Sequence, residues 1–264
     1  MTSLLAGRGA VVTGGGRGIG AAIAQRLAEA GAAVVVAARS TSEIEGVAAS
    51  LVARGHRAFA VRCDVSDEEA VAALARRAAE LVGEVDVLAL AAGDSSAAPI
   101  ERLTLAQWRS TLDAHATGTF LCARAFVPAM KDRGRGRLIA VASTAGLEGA
   151  RYISHYCAAK HAVVGFVRAL ALELQGSGVS AHTLCPGYVD TPMTARTLDN
   201  VVARTGRSRA AALAAVLEAA GQERLLRADE VAAAAVDLCQ PIAAQMNGRA
   251  IVLLPQGESC LSKS

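Results

Sequence analysis

The sequence predicts an α/β protein with a seven-stranded parallel sheet between two layers of helices, and three observations predict it. Short apolar, β-branched runs alternate with longer stretches of helical period, which is the pattern of repeated strand–helix–strand units. The 264 residues are 53% hydrophobic and 19% charged, so the chain can bury a large core. No Pro- or Ser-rich linker divides it, so we expect one domain over residues 1–264.

Short runs rich in Val, Ala, Ile and Leu, each bounded by turn residues, predict the strands. These runs cover residues 9–12, 33–38, 58–63, 85–91, 137–141, 180–184 and 250–253. Ala- and Leu-rich stretches of helical period predict helices at about 18–30, 43–54, 67–82, 105–131, 152–174 and 229–238. We expect Ser66 and Thr104 to cap the amino ends of two of these helices.

Residues 187–227 form a much longer connection than a strand and a helix need, so we expect them to be a helical substrate lid. Two helical patterns lie inside the lid, at about 198–205 and 208–220. Its apolar side chains suit an apolar substrate: Val201, Val202, Leu213, Val216 and Leu217. It also has four arginines: Arg196, Arg204, Arg207 and Arg209. Their charge suits a coenzyme A or acyl-carrier arm, and an ordinary solvated face is the alternative.

Composition excludes several classes of function. The net charge is only +3, from 27 Lys and Arg against 24 Asp and Glu, and aromatic residues are 3% of the chain, which excludes a typical nucleic-acid binder. No apolar stretch reaches the length of a membrane span, and the first residues do not resemble a signal peptide. The six cysteines, among them Cys260, form no metal-ligand spacing. We therefore expect a cytoplasmic protein with reduced thiols, no metal and no membrane or nucleic-acid partner.

A glycine-rich turn follows the first predicted strand directly. The segment Thr13-Gly-Gly-Gly-Arg-Gly-Ile-Gly20 leads from that strand into a helical pattern. Absent side chains let backbone N–H groups and the helix dipole approach a pyrophosphate at such a position. Gly14, Gly18 and Gly20 are therefore candidate phosphate-binding residues, together with the intervening Arg17 and Ile19.

Several motifs occur in a fixed order along nearly the whole chain. They are Thr13-Gly14-x-x-x-Gly18-Ile19-Gly20, Asp64-Val65, Gly93, Gly118-Thr-Phe-Leu, Ser143, Tyr156-x-x-x-Lys160 and Cys185-Pro-Gly-Tyr-Val-Asp-Thr-Pro192. In these motifs the chain resembles the short-chain dehydrogenase/reductase family, and it is most similar to 3-oxoacyl and hydroxyacyl-CoA type reductases and ketoreductases. The resemblance implies a single Rossmann-fold domain that transfers hydride between a nicotinamide cofactor and a carbonyl or alcohol.

Tyr156 and Lys160 are the predicted catalytic pair. They are four residues apart on a helical pattern, so they share one face. An ammonium group near the phenol, together with an oxidised nicotinamide, favours the phenolate and is expected to lower the tyrosine pKa from about 10. The resemblance implies that Tyr156 exchanges the proton, that Ser143 hydrogen-bonds the substrate oxygen, and that Lys160 also holds the nicotinamide ribose.

His115 departs from the family pattern, because the resemblance puts a catalytic Asn at this position. A histidine there can take part in a proton relay and add a titration, or it can simply fill a helix kink and pack on the fourth strand. The family's amides before Gly93 are replaced by Leu90 and Ala91, where we expect apolar packing instead. The C-terminal Leu254-Pro-Gln-Gly257 also lacks the usual Asp-Gly-Gly.

NADP(H) is the expected cofactor, with NAD(H) possible. The second strand ends at Ala38, where an acidic residue would bind the adenosine ribose, and Arg39 follows it. Arg39 and Arg17 are expected to contact the 2′-phosphate. The resemblance implies that Asp64 bonds the adenine amino group beside Val65. It also places five more residues at the cofactor: Gly93, Pro186, Gly187, Val189 and Thr191.

The leading hypothesis is an NADP(H)-dependent reductase of a 3-oxoacyl or other apolar ketone, working reversibly. One alternative is an NAD-dependent dehydrogenase of a cyclic alcohol or dihydrodiol, and a second is a nucleotide-sensing protein without turnover. The family commonly forms homotetramers through its long helices, so a homotetramer is expected here, with a dimer as the alternative. Small residues such as Ala158 and Ala162 permit close helix approach.

Overall fold

Apolar runs form a seven-stranded parallel sheet, as predicted, in a computed structural model that describes residues 3–255. Gln256, Gly257 and Cys260 lie outside the described residues. The strands are β1 Gly9–Thr13, β2 Ala33–Ala38, β3 Ala58–Arg62, β4 Val85–Leu90, β5 Gly136–Val141, β6 Val179–Pro186, and β9 Ala250–Leu253, with a short pair β7 Val189–Asp190 and β8 Leu226–Arg227 outside the sheet. The sheet order is β3-β2-β1-β4-β5-β6-β9. Strand order reverses between β1 and β4, which opens a crevice at the carboxyl ends of these strands.

Helices cover both faces of the sheet. They are α1 Gly18–Glu29, α2 Thr41–Ala53, α3 Glu68–Val82, α4 Leu105–Leu112, α5 Gly118–Asp132, α6 Ser154–Glu173, α7 Pro192–Thr205, α8 Arg209–Ala219 and α9 Ala228–Asp237. Ile23 of α1 and Val231 of α9 pack in the core on one face. Phe126 of α5 and Val163 of α6 pack in the core on the other face. Alternate strand residues supply both cores, which is why the strands read as nearly continuous apolar runs.

One of the two predicted helix caps differs from the prediction. Thr104 caps α4 as expected and forms a capping box with Gln107. Asp67, not Ser66, caps α3, because its carboxylate accepts hydrogen bonds from the Glu69 and Ala70 backbones. The Ser66 hydroxyl instead donates to Asp64.

The long helix predicted over residues 105–131 is interrupted. It is two helices, α4 and α5, joined by a π-helical turn over Asp113–Thr117. A π turn inserts one residue into the helical repeat and often marks a functional position. His115 lies in this turn, and its side chain points toward the carboxyl end of β4.

The helix predicted from residue 152 begins later, at Ser154. Tyr152 has a positive φ of 66°, the one such non-glycine residue in the described part of the chain. This left-handed conformation is incompatible with a helical start.

The lid carries the two predicted helices, although α7 begins earlier than expected, at Pro192. Its two ends are joined by the β7–β8 pair, in which Val189 lies opposite Leu226. Buried Gln222 reinforces this junction, because its Oε1 accepts a 2.6 Å hydrogen bond from the Tyr188 backbone N–H. Among residues 3–255, no helix is long and apolar enough to cross a membrane.

Candidate active site

The glycine turn between β1 and α1 forms a bare backbone cradle. Gly14 and Gly18 have φ values of +66° and +54°, a region that favours glycine. A Cβ on Gly14 would lie 2.6 Å from the Ala91 carbonyl group, and a Cβ on Gly20 would lie 2.2 Å from the Gly14 oxygen. The turn, the β4 exit and the start of α1 are therefore packed backbone against backbone.

The amino end of α1 has no side-chain cap. Its first N–H groups are consequently available to an external anion, and the helix dipole adds positive potential there. Thr191, at the start of the lid, borders this turn, since its methyl group would lie 3.3 Å from a Cβ on Gly18. These features fit the pyrophosphate of a dinucleotide.

One cavity contains all of the predicted site residues. Its volume is about 2160 Å³, larger than an ordinary small-molecule pocket and sufficient for a dinucleotide with a substrate. The predicted residues that line it are Gly14, Arg17, Gly18, Ile19, Gly20, Arg39, Asp64, Val65, Gly93, His115, Ser143, Tyr156, Lys160, Pro186, Gly187, Val189 and Thr191. Among the residues that the structure describes, no cluster of His, Cys, Asp or Glu could hold a metal ion.

Lys160 is buried in the floor of this cavity. Its Nζ donates a 2.7 Å hydrogen bond to the Val141 carbonyl at the end of β5, which fixes the direction of the side chain. Burial lowers the pKa of Lys160 to about 8, because desolvation disfavours the ammonium form. A lysine with a pKa near neutrality can exchange protons at physiological pH.

Tyr156 is half-buried one helical turn before Lys160, on α6. Burial raises the pKa of Tyr156 to about 12, and its hydrogen bond with the Ser143 side chain partly offsets that rise. Burial is therefore the dominant influence on the Tyr156 pKa in the protein without cofactor, although the Lys160 ammonium lies 5.5 Å from the phenol ring centroid. Ser143 also accepts a hydrogen bond from the Ala145 backbone, which orients its hydroxyl.

His115 lies edge-on to Tyr156, with ring centroids 5.3 Å apart and an interplanar angle of 87°. Its Nε2 donates a 2.7 Å hydrogen bond to the Asp94 carbonyl, so Nδ1 carries no proton. Nδ1 is buried without a partner among the described residues. Burial and the charge of Lys160 lower the pKa of His115 to about 3. The side chain is therefore neutral in the working pH range, and it packs in the helix interruption against Gly93 at the end of β4.

Because His115 is buried in its neutral form, we expect the protein to lose stability at acid pH. An unfolded histidine titrates near 6.5, so the unfolded chain binds one more proton than the folded chain between about pH 6.5 and 3. His115 therefore reduces the free energy of unfolding as the pH falls through this range, by up to about 5 kcal/mol. In His115→Asn, urea unfolding at pH 7 and pH 4.5 should show a smaller loss of stability than in the parent. Equal losses in both proteins would contradict the neutral assignment.

The adenosine end of the cavity differs from the prediction in one respect. Arg39 is exposed beside the cavity, as expected. Arg17 is not free, because its Nη1 lies 3.2 Å from Oε1 of Glu43 on α2. Burial favours a higher pKa for Asp64, but hydrogen bonds from Ser66 and the charge of Arg39 lower it, so Asp64 is an ionised acceptor.

The lid arginines are less free than the sequence suggested. Arg196 pairs with Asp94 at 2.5 Å, and Arg209 pairs with Asp199. Arg204 donates to the Ala97 carbonyl at 3.4 Å. Of the predicted apolar lid residues, Val201 and Val216 line the cavity. The lid therefore presents both apolar and polar side chains to the cavity, and two of its four predicted arginines are paired with carboxylates.

Sequence reasoning missed three residues around this site: Glu43, Asp94 and Gln222. Asp94 accepts from His115 through its backbone and from Arg196 through its side chain, so it links the β4 exit to the lid. None of these residues belongs to a motif, and each acts through a partner distant in sequence. Glu43, which lies near the glycine turn, was detectable only from the fold.

Comparisons with known proteins agree with this geometry. A family model described as short chain dehydrogenase matches residues 8–202. Cis-4-hydroxycyclohexanecarboxylate dehydrogenase of Sinomonas cyclohexanicum is 42% identical over 74% of this chain and 78% of its own. Short-chain reductase protein NovJ of Streptomyces niveus is 34% identical over 92% of this chain and 90% of its own. A crystal structure of an actinorhodin polyketide ketoreductase variant with NADPH is 32% identical, with a TM-score of 0.89 over 96% of this chain and 98% of that one.

Proposed function

The chain belongs to the short-chain dehydrogenase family, and we propose that it is an NADP(H)-dependent oxidoreductase that interconverts a ketone and a secondary alcohol. The observation that carries the proposal is one cavity holding the glycine cradle together with Ser143, Tyr156 and Lys160. Tyr156 and Lys160 both have shifted pKa values, and both lie near the phosphate-binding glycine turn. Packing alone does not require such residues, which supports a catalytic role.

In this proposal the bound cofactor supplies or accepts the hydride. Ser143 donates a hydrogen bond to the substrate oxygen, and Tyr156 gives that oxygen a proton in reduction or removes it in oxidation. The Tyr156 pKa of about 12 keeps the phenol protonated in the protein alone, which suits donation to a ketone. Oxidation needs a lower pKa, and the positive charge of an oxidised nicotinamide acts in that direction.

Lys160 contributes in two ways. It would hold the ribose hydroxyls of a bound cofactor, and its pKa of about 8 would let its ammonium group release or take up a proton near neutral pH. Its bond to the Val141 carbonyl keeps the ammonium at a fixed position below Tyr156. Burial lowers the pKa of His115 to about 3, so its protonated form is strongly disfavoured at neutral pH. We therefore assign His115 a positioning role beside the Tyr156 ring.

Arg39 supports the choice of NADP(H), because it is an exposed cation at the strand end where an acid would be needed to hold a free ribose. Exchanging this cation for a carboxylate should repel a 2′-phosphate. In Arg39→Asp we expect the NADPH dissociation constant to rise about 100-fold and the NADH constant to change less than about threefold. Fluorescence titration measures both constants. Arg57→Asp, an equal charge change at the amino edge of the sheet, is the matched control, and equal weakening of both cofactors in Arg39→Asp would refute the assignment.

The apolar lid lining supports a 3-oxoacyl or other apolar carbonyl substrate. The exposed arginines Arg204 and Arg207 are compatible with a coenzyme A or carrier arm. A second candidate is a dehydrogenase of a cyclic alcohol, including an NAD-dependent one, and the 42% identical cis-4-hydroxycyclohexanecarboxylate dehydrogenase favours it. A sensor without turnover is the third alternative, and the complete Ser143, Tyr156 and Lys160 set argues against it.

Exposed apolar residues on α5 and α6 support a homotetramer. Phe120 is 41% exposed and packs edge-on against Phe166, and Leu172 is 67% exposed. Such residues on adjacent helices are suited to an interface between copies.

Buried free cysteines, among them Cys63 and Cys122, accord with a cytoplasmic location.

Initial rates with NADPH and NADH test the proposal. The substrate panel should contain acetoacetyl-CoA, a 3-oxoester, an aryl ketone and a cyclic ketone, with the corresponding alcohols for the reverse direction. NADPH-linked turnover of an acyl or apolar ketone would support the leading function. NADH-linked turnover confined to the cyclic pair would favour the second candidate. Tight cofactor binding without turnover across a widened panel would favour the sensor.

A further inference from the structure

Glu43 brings a carboxylate to the adenosine end of the cavity. It lies in the first turn of α2, directly across from the glycine turn. A Cβ on Gly16 would lie 2.9 Å from the Glu43 Cβ and 3.2 Å from its Oε2. Glu43 and Arg17 line the same cavity as Arg39 and Asp64, and Glu43 lies only four residues after Arg39, in the helix that follows β2.

We infer that Glu43 is a specificity-determining residue for the dinucleotide, favouring a free adenosine ribose and opposing a 2′-phosphate. This inference rests on the proposed cofactor-dependent function. The strand end itself offers only Ala38, so the sequence there shows no acidic discriminator. The fold supplies the missing carboxylate from the next helix.

Glu43 acts in two ways. Its charge repels a phosphate directly, and its contact with Arg17 at 3.2 Å occupies a guanidinium that would otherwise bind that phosphate. The Arg17 and Glu43 side chains are 51% and 36% exposed, so the pair is solvated and weak. A phosphate dianion can therefore displace the carboxylate, which makes Glu43 a moderator of NADPH binding and not a barrier.

With NADH, no 2′-phosphate competes for Arg17. The Glu43 carboxylate can then accept hydrogen bonds from the ribose hydroxyls, which is the role that an acidic residue at the strand end has in NAD-binding proteins. The expected result is a protein that prefers NADPH but also accepts NADH. Removing the carboxylate charge should sharpen the preference for NADPH.

The test compares Glu43→Gln with Glu45→Gln, a matched control. Glu45 is exposed on the same helix, does not line the cavity and differs in position by two residues. The dissociation constants for NADPH and NADH are measured by fluorescence titration in the absence of substrate. Competition by adenosine 2′-phosphate and adenosine 5′-phosphate gives a second readout that does not involve the nicotinamide.

In Glu43→Gln we expect NADPH to bind about five- to tenfold more tightly and NADH to bind equally or up to about threefold more weakly. Adenosine 2′-phosphate should gain affinity in parallel, and high salt should reduce the gain. Glu45→Gln should change each constant less than about twofold. Weaker NADPH binding in Glu43→Gln would overturn the inference, because it would mean that Glu43 orients Arg17 for the phosphate. Equal behaviour of both variants would overturn it as well.

The parent protein separates this inference from the proposed function. If the parent binds neither cofactor, the proposed function fails. If the parent binds NADPH and reduces a ketone with it while the two variants behave alike, only the role of Glu43 fails. Thermal unfolding of both variants checks that α2 is intact.

Discussion

Tyr156→Phe should lower kcat by about 10³-fold or more while leaving the NADPH dissociation constant within about threefold of the parent. The change removes one hydroxyl, the group that exchanges the proton, and keeps the ring that His115 contacts. Steady-state kinetics and fluorescence titration on the same preparation measure the two quantities. Loss of NADPH binding in parallel with turnover would instead mean that the hydroxyl holds the cofactor site together.

Tyr152→Phe is the matched comparison for this change. Tyr152 is 60% exposed at the cavity mouth and lies four residues before Tyr156, outside α6. Because its backbone is left-handed, it does not share the helix face of Tyr156 and Lys160. We expect it to retain kcat within about threefold. Near-parent turnover in Tyr156→Phe, or a collapse in Tyr152→Phe alone, would show that the acid–base group has been wrongly assigned.

Gly93→Ala should lower the free energy of unfolding by about 3 kcal/mol. The new Cβ would lie 2.0 Å from Cε1 of His115, and Gly93 has a φ of +152°, which disfavours any side chain. His115 cannot move aside freely, because Nε2 is bound to the Asp94 carbonyl. Urea unfolding at fixed protein concentration measures the change.

A double-mutant cycle separates the clash from the backbone strain. His115→Ala removes the ring, so adding Gly93→Ala to it should cost about 1–2 kcal/mol less than adding Gly93→Ala to the parent. Gly46→Ala is the control, since a Cβ on this helical glycine would meet nothing within 4 Å, and it should be neutral or slightly stabilising. Strict additivity of Gly93→Ala and His115→Ala would disprove the clash.

The strands and most helices followed from the sequence because their signals are local. Periodicity of apolar residues predicted the sheet, and the motifs predicted which residues share the cavity. The family resemblance suggested a helix kink at His115 as one alternative, but the predicted helix over residues 105–131 was continuous, and the π-helical form of the interruption at Asp113–Thr117 was not predicted. A π turn changes the register without changing the residue types.

The pKa shifts and ion pairs of the site could be derived only from the three-dimensional structure. The sequence shows that Lys160 is near Tyr156, but only the fold shows that burial dominates the Tyr156 pKa and that Val141 engages the ammonium. Likewise, Arg17 reads as a phosphate ligand until α2 brings Glu43 against it. Long-range pairs of this kind leave no signature in residue spacing.

The β7–β8 pair and Gln222 have a consequence for how this chain can diversify. Together they close the base of the lid, so the segment between Asp190 and Leu226 is a loop whose two ends are already held together. The entropic cost of closing a loop grows only slowly with its length. Here the β7–β8 pair and Gln222 offset that cost without any bound substrate. The helices between these ends can therefore be lengthened, shortened or exchanged without disturbing β5 and α6, which position Ser143 and Lys160. The fold separates the residues of the catalytic pair from a segment whose length and shape are free to vary.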